Sequence, residues 1–427
     1  MVGIESIHLT AFVCQAIDGH IEWHRSSATG RPHALMRGPS SLPVDAANLF
    51  LFDRAQAGVR PATVFSLADS LLPYLRWLES NSVDWRDFPV RRRDRCVFRY
   101  KANLIDQRDS GVIASSTASA RMRVVIAFYR WLISEKLLRL NNGPWEERRV
   151  SIGVPDLAGL TRTFTVATTD LVIPNRQRGR SELEDGLTPL NADHLATLLD
   201  LAARYAPPEL QLMLSFGCMT GMRLGSICDL KVESLRNAIP DPMVPDMYWL
   251  TIGPSAKPPV ATKFDVSGRV LLPGPLFRQA LAYAGSRRRT GRRPGPGSDL
   301  LFLTRSGAHY RSPGDAGRSR AVNVAMTRLR SAAASEAPWI TELKFHQTRA
   351  TFATMVAAHA LRVMDVPAAV GLVRNLLLHR DEATSLRYIK FVQGTEATAS
   401  LSNEFTRLFF ELSTPKESAS LMSMSKI

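Results

Sequence analysis

In the stretch LLLHRDEATSLRYIKF (Leu376–Phe391), His379 closes an apolar run and Tyr388 follows nine residues later among polar neighbours. A tyrosine hydroxyl becomes a nucleophile only with help, because a free phenol ionises near pH 10. The commoner fate of a tyrosine is to pack through its ring. Upstream, KFHQTRATFATMV sets His346 and Arg349 three residues apart, hence on one helical face, where both could donate to one phosphate. In a chain with nine histidines and many arginines, an H-x-x-R match arises about once by chance. TGMRLGSICDL sets Arg223 at the start of a helix after a glycine-bearing turn. Helix starts favour anions, and a guanidinium adds a planar fork matched to phosphate oxygens. Most arginines at helix starts are surface residues, and no one of these motifs decides alone.

The scaffold for these groups is legible in outline. LTPLNADHLATLLDLAARYA opens a helix with Asn191 as its cap and Asp193 in the first turn. LMLSFGCMTGMRLGSICDLKVESL reads as helix, turn, helix. MYWLTIGPSAKPPVATKFDVSGRVLLP (Met247–Pro273) interleaves strand and turn residues and predicts a small antiparallel sheet. Further upstream, Val64, Leu67, Leu71, Leu75 and Leu78 recur at helical spacing, with Thr63 a candidate cap and Pro73 expected to kink or divide the helix. Ser119–Leu138 is a second strong helix, stopped by Asn141–Pro144. The expected fold class is mainly α with a small antiparallel β-sheet (α+β).

The predicted organisation is an extension or arm over residues 1–59, a basic helical domain over 60–147, a linker over 148–185, a second domain over 186–412 and a disordered tail over 413–427.

Of 427 residues, 45% are hydrophobic and 22% charged, which suits a globular protein with at least one sizeable core. Lys and Arg number 54 against 39 Asp and Glu, a net charge of +15 that points to a polyanion, most often nucleic acid. No apolar run approaches the roughly 18 residues that span a bilayer. The N-terminal residues lack a basic leader followed by an apolar core. Cys14, Cys96, Cys218 and Cys228 show no metal-ligand spacing and read as reduced, mostly buried thiols. An intracellular protein is expected, with no membrane partner and no structural metal.

The order of the chemical residues carries more than any one of them. Arg223 in TGMR, Lys263 in ATKFDVSGRVLLP, His346 and Arg349 in HQTR, His379 in LLLH and Tyr388 in SLRYIKF follow one another as in the catalytic domain of the tyrosine recombinases, the phage integrase family, which residues 186–412 resemble. DLLFLTRSGAHY (Asp299–Tyr310) and the His-to-Tyr interval agree with that pattern, and residues 60–147 resemble the family's core-binding domain more loosely. The resemblance implies a metal-free, cofactor-free, ATP-independent DNA integrase or transposase-like recombinase of a mobile element, cytoplasmic, nucleoid-associated and of bacterial or phage origin. Tyr388 would attack a phosphodiester to leave a 3′-phosphotyrosyl link. Arg223 and Arg349 would hold the non-bridging oxygens, with His346 and His379 assisting, and Lys263 would protonate the 5′-oxygen. It implies double-stranded DNA as partner, clamped between the two domains, and a homotetramer in the synaptic complex. Arg91, Arg92, Arg93, Arg121, Arg287 and Arg288 are candidate backbone contacts.

Several departures stand beside the resemblance. Leu378 occupies the place of a usual glycine, Ser226 that of a usual acid, and the Arg349–His379 interval is long, suggesting an insertion around Ala360–Val370. Lys257 competes with Lys263 for the lysine role. A C-terminal face of Leu401, Phe405, Leu408, Phe409 and Leu412 suits either docking on a neighbouring subunit or a core. A type IB-like relaxing enzyme uses the same tyrosine link. A non-catalytic DNA-binding protein explains the charge and the departures, and an RNA-binding role explains the charge alone.

Overall fold

A computed structural model describes residues 1–9, 12–17, 20–25, 30–38, 44–140, 143–155, 161–174, 183, 187–292, 299–310 and 319–413. For 12–17, 20–25, 152–155, 161–164, 166 and 405–413 it describes the backbone alone. The predicted tail, most of the C-terminal apolar face and part of the arginine-rich run after Ser286 therefore lie outside the described side chains. The chain divides near residue 178 into two compact units.

The first unit runs β1 (Gly3–Leu9), β2 (Phe12–Ile17), β3 (His20–Arg25), β4 (Arg31–Arg37), α1 (Asp45–Gln56), α2 (Pro61–Ser80), α3 (Cys96–Asp109), α4 (Ser115–Ser134), β5 (Glu147–Pro155) and β6 (Thr161–Thr169). Its strands form antiparallel pairs β1–β4, β2–β3 and β5–β6. The periodicity of α2 holds: Val64, Ala68, Leu71, Tyr74, Leu75 and Leu78 are buried along one stripe. The start differs from expectation, with Arg60 at the cap and Pro61 in the first turn, where a missing N–H costs nothing. The helix also runs through Pro73 undivided, because Leu71 before it and Tyr74 and Leu75 after it are held in the core.

Within residues 1–59, described parts pack on the helices of this unit. Ala34, Met36, Phe50 and Leu51 share one core with the helices. The Asn48 side chain accepts from the Met36 N–H at 2.8 Å and donates to its carbonyl at 2.9 Å, so a helix side chain stands in for a strand partner. Residues 148–185 are likewise more than a linker. β5 and β6 pair in register, with Val150 opposite Val166, and Leu171 and Ile173 return to the same core. The alternation that makes a strand was masked there by arginine and threonine.

The second unit runs α5 (Ala192–Tyr205), α6 (Pro208–Thr220), α7 (Leu224–Cys228), α8 (Val232–Arg236), β7 (Ile239–Pro240), β8 (Met247–Ile252), β9 (Gly268–Pro273), α9 (Gly274–Gly285), α10 (Arg287–Thr290), α11 (Arg320–Ala333), α12 (His346–Val363), α13 (Val366–Leu377) and α14 (Glu382–Ser413). The expected sheet is present as three antiparallel strands in the order β7–β8–β9. Asn191 caps α5 as predicted, accepting from the His194 N–H at 2.7 Å. Leu198, Met213, Phe216, Leu272, Leu301 and Leu329 belong to one core cluster, and Ala353, Ala357, Val370, Val373 and Ile389 to another. The buried stripe Ala350, Ala353, Ala357 and Ala360 gives α12 a slim face, which lets α6, α13 and α14 all pack against it. The long Arg349–His379 interval is filled by the rest of α12 and by α13, whose start is capped by the Asp365 side chain.

Much of the arginine-rich run at 286–292 holds this unit together. Glu209, 1% exposed, accepts from Arg288 through both oxygens at 2.7 and 3.0 Å and from the Tyr283 hydroxyl at 2.9 Å, and pairs with Arg292 at 2.9 Å. The buried Arg289 donates to the Leu300 and Leu301 carbonyls, each at 3.0 Å. Burial alone would raise the Glu209 pKa, but the hydrogen bonds from Arg288 and Tyr283 outweigh it and hold the carboxyl below its usual 4.5. A depressed folded-state pKa means that this stabilisation is whole above about 4.5 and is lost as pH falls through the lower, folded value. Glu209→Gln is expected to destabilise the unit by about 2–3 kcal/mol at pH 7, toward the lower end for a buried pair because Arg288 is half exposed. The deficit should shrink at acid pH in urea melts. A constant deficit down to pH 3 would contradict the charged role of Glu209.

Among the described residues no helix is long and apolar enough to cross a membrane. Cys96, Cys218 and Cys228 are buried, and burial pushes the Cys218 thiol up to about 12.

Candidate active site

Three of the six residues singled out in the sequence line one small cavity in the second unit: Arg223, Lys263 and Arg349. Thr220, Ser226 and Leu378 complete much of its wall. Each cation arrives from a different element. Arg223 caps α7 just after the turn that ends α6, Lys263 lies in the loop between β8 and β9, and Arg349 sits in the first turn of α12. Lys257, in the same β8–β9 loop, is not among the lining residues.

Arg349 is 2% exposed, and its guanidinium donates from Nη1 to the Gly221 carbonyl at 2.6 Å and from Nη2 to the Leu377 carbonyl at 2.8 Å. Two of its five N–H groups thus fix the plane of the fork by joining the end of α6 to the end of α13. Gly221 is what permits this. It ends α6 at φ 65°, and a Cβ there would meet Phe352 at 2.5 Å and Leu377 at 2.7 Å. Gly221→Ala is therefore expected to destabilise by about 2–4 kcal/mol, the left-handed penalty plus overpacking, and to shift the carbonyl that holds Arg349. A urea midpoint within error of the unsubstituted protein would show that neither constraint is real.

The end of α13 turns on a left-handed residue, Leu378 at φ 50° and ψ 50°. That conformation costs an L-residue about 1–2 kcal/mol. The side chain is used: it lies against Gly268 of β9, where a Cβ would come within 2.4 Å of the Leu378 Cδ2. Leu378 thus makes the turn and fills the wall between α13 and the sheet.

The turn delivers His379, 5% exposed, against the start of α14. Its Nδ1 is 2.9 Å from the hydroxyl of the fully buried Ser385, and its ring stacks on Tyr388 with centroids 5.8 Å apart and planes 12° apart. Ser385 was not anticipated from sequence. Its spacing of three before Tyr388 on one helix is the signal that would have found it, since both must then face the segment that precedes α14. Tyr388 is 1% exposed and packs among Ala353, Val373 and Ile389. His346 opens α12 one turn before Arg349, is partly buried, and is not among the residues that line the cavity.

The lysine loop is strained. Phe264 (φ 65°, ψ 19°) and Asp265 (φ 54°) are consecutive left-handed non-glycine residues, which together cost about 2–4 kcal/mol. Such outliers concentrate at functional sites.

The expected DNA contacts divide. Arg91, Arg93 and Arg287 are exposed, and Arg121 is partly buried on α4. Arg92 is held by Glu146 and Asp170, and Arg288 by Glu209, so both already spend charge on carboxylates.

No protein-family model matches the chain, and no curated protein does. Among solved structures, a fragment of the Tn1549 transposon integrase in complex with transposon right end DNA is similar at a TM-score of 0.51 and 12% identity, over 84% of this chain and 98% of that one. A lambda integrase dimer bound to a COC′ core site is similar at a TM-score of 0.47 and 15% identity, over 81% and 94%.

Proposed function

We propose that this chain, which has the fold of the tyrosine recombinase integrases, is a DNA strand-exchange enzyme working through a 3′-phosphotyrosyl intermediate. The observation that carries the reading is the cavity that gathers Arg223, Lys263 and Arg349, with the His379–Tyr388 stack reached from its Leu378 wall. The transposon DNA bound by the similar Tn1549 fragment favours a DNA duplex as substrate.

Phosphoryl transfer asks a protein mainly for positioning and charge. In this reading Arg223 and Arg349 hold the non-bridging oxygens of one phosphodiester, where negative charge grows in the transition state. The Tyr388 Oη attacks phosphorus, its proton passes to His346, and the bond to the 5′-oxygen breaks as Lys263 supplies that oxygen with a proton. His379, oriented by Ser385, hydrogen-bonds the same phosphate. The bond energy is kept in the phosphotyrosine, so a 5′-hydroxyl from a second duplex can reverse the step without ATP. Exchange between two duplexes cuts four strands, and a homotetramer on DNA supplies four tyrosines. Because Tyr388 is 1% exposed, the side chains covering its hydroxyl must yield when DNA docks.

The test needs no known site. The tagged protein is expressed with host DNA, denatured, captured stringently, and any DNA still attached is sequenced. Fragments at one recurrent junction are the expected result. Adducts scattered without preference would favour a relaxing enzyme, and native binding with no adduct at all would leave only a DNA-binding protein on this fold.

A further inference from the structure

Phe264 is a large apolar side chain that does not pack inward. It is 54% exposed, on the strained loop between β8 and β9, next in sequence to Lys263. Two cations nevertheless face its ring: the Lys263 Nζ lies 5.2 Å from the centroid and the Arg380 Cζ 5.8 Å from it. Arg380 directly follows His379. The base of the loop is closed by the Thr262 hydroxyl donating to the Val266 carbonyl at 2.8 Å, and both residues line the cavity. The loop is thus anchored at its base while the ring stands outside, bracketed by charge.

We propose that Phe264 is a positioning residue: its ring holds the Lys263 ammonium at the rim of the cavity and couples the lysine loop to Arg380. The proposal rests on the strand-exchange reading. A lysine ammonium is a point charge on a flexible four-carbon stem, whereas a general acid must stand within hydrogen-bond reach of one oxygen. An aromatic face attracts ammonium and guanidinium alike and has only two side-chain torsions to fix. The left-handed backbone at Phe264 and Asp265 presents the ring to both cations at once, a use that accounts for a strained and exposed phenylalanine where packing does not.

The experiment compares two duplexes carrying a junction recovered by covalent capture, one ordinary and one with sulfur in place of the 5′-bridging oxygen. A thiolate leaves without a proton, so the sulfur duplex bypasses the general acid. Phe264→Ala is expected to slow single-turnover cleavage of the ordinary duplex by about 10–100-fold, part of the range for general acid catalysis, and that of the sulfur duplex by no more than about threefold. Phe264→Trp should keep both rates, and Phe264→Leu should behave as the alanine variant. Equal slowing on both duplexes, or full activity in Phe264→Leu, overturns the proposal. The contact has its own readout: the Lys263 ε-methylene proton resonance should lie upfield under the ring and move back in Phe264→Ala, and an unmoved resonance also overturns it. Failure of the underlying reading looks different, since the unsubstituted protein would then form no adduct on either duplex.

Discussion

Replacing Tyr388 by phenylalanine is expected to abolish covalent DNA adducts, by on the order of 10⁴-fold or more, because the only nucleophile of the scheme is gone. The change removes one oxygen from a ring held by its stack on His379 and by the α13–α14 packing around it. The fold, and the basic surface proposed to meet DNA, should therefore be largely kept. Duplex affinity measured by fluorescence anisotropy at one stated salt concentration should stay within about threefold, since nonspecific affinity is set by phosphate neutralisation. Denaturant-resistant complexes on a gel report the chemistry separately. Adducts that persist in Tyr388→Phe would remove Tyr388 from the nucleophile's role, whatever happened to binding.

Arg349→Ala is expected to act on two levels. The side chain is the bolt between the Gly221 and Leu377 carbonyls, and removing it strands two buried acceptors at about 1–3 kcal/mol each, so a loss of stability of about 2–6 kcal/mol is expected. Cleavage should fall by at least about 10²–10³-fold beyond any unfolding, as when a preorganised donor is taken from a developing oxyanion. Arg349→Lys separates the levels. An ammonium keeps the charge, but it has no planar fork with which to bridge both carbonyls, so part of the instability should remain while some rate returns. Urea midpoints and single-turnover cleavage on the same samples make the comparison. A folded Arg349→Ala protein that cleaves at the original rate would refute the phosphate-holding role.

Among the described residues, three of the six left-handed non-glycine positions gather at this place. Leu378, Phe264 and Asp265 are left-handed without being glycine, and each borders the cavity or the lysine loop. The rigid parts that hold them are the slim alanine face of α12, the Gly221 turn and the short sheet. A site whose cations come from three elements far apart in sequence needs such supports, because each cation alone is a solvated surface charge.

What the sequence determined by itself was whatever depends on near neighbours. Helical period and the stripe of α2, the Asn191 cap, the β8–β9 sheet and the order of Arg223, Lys263, His346, Arg349, His379 and Tyr388 were all readable, because a turn of helix or a hairpin is decided within a few residues. What only the tertiary structure decided were pairings across distance. Strand β4 is held to the first core by Asn48 and pairs with β1 across an intervening hairpin. Arg92 looked available for DNA until Glu146 and Asp170 met it, and Arg288 until Glu209 did. Leu378 looked like a lost glycine, and only the structure has it both left-handed and packed on Gly268. Ser385 on His379 and Phe264 between Lys263 and Arg380 belong to the same class. A charge or ring declares its type in sequence, but its partner is chosen by chain segments that become neighbours only when the core closes.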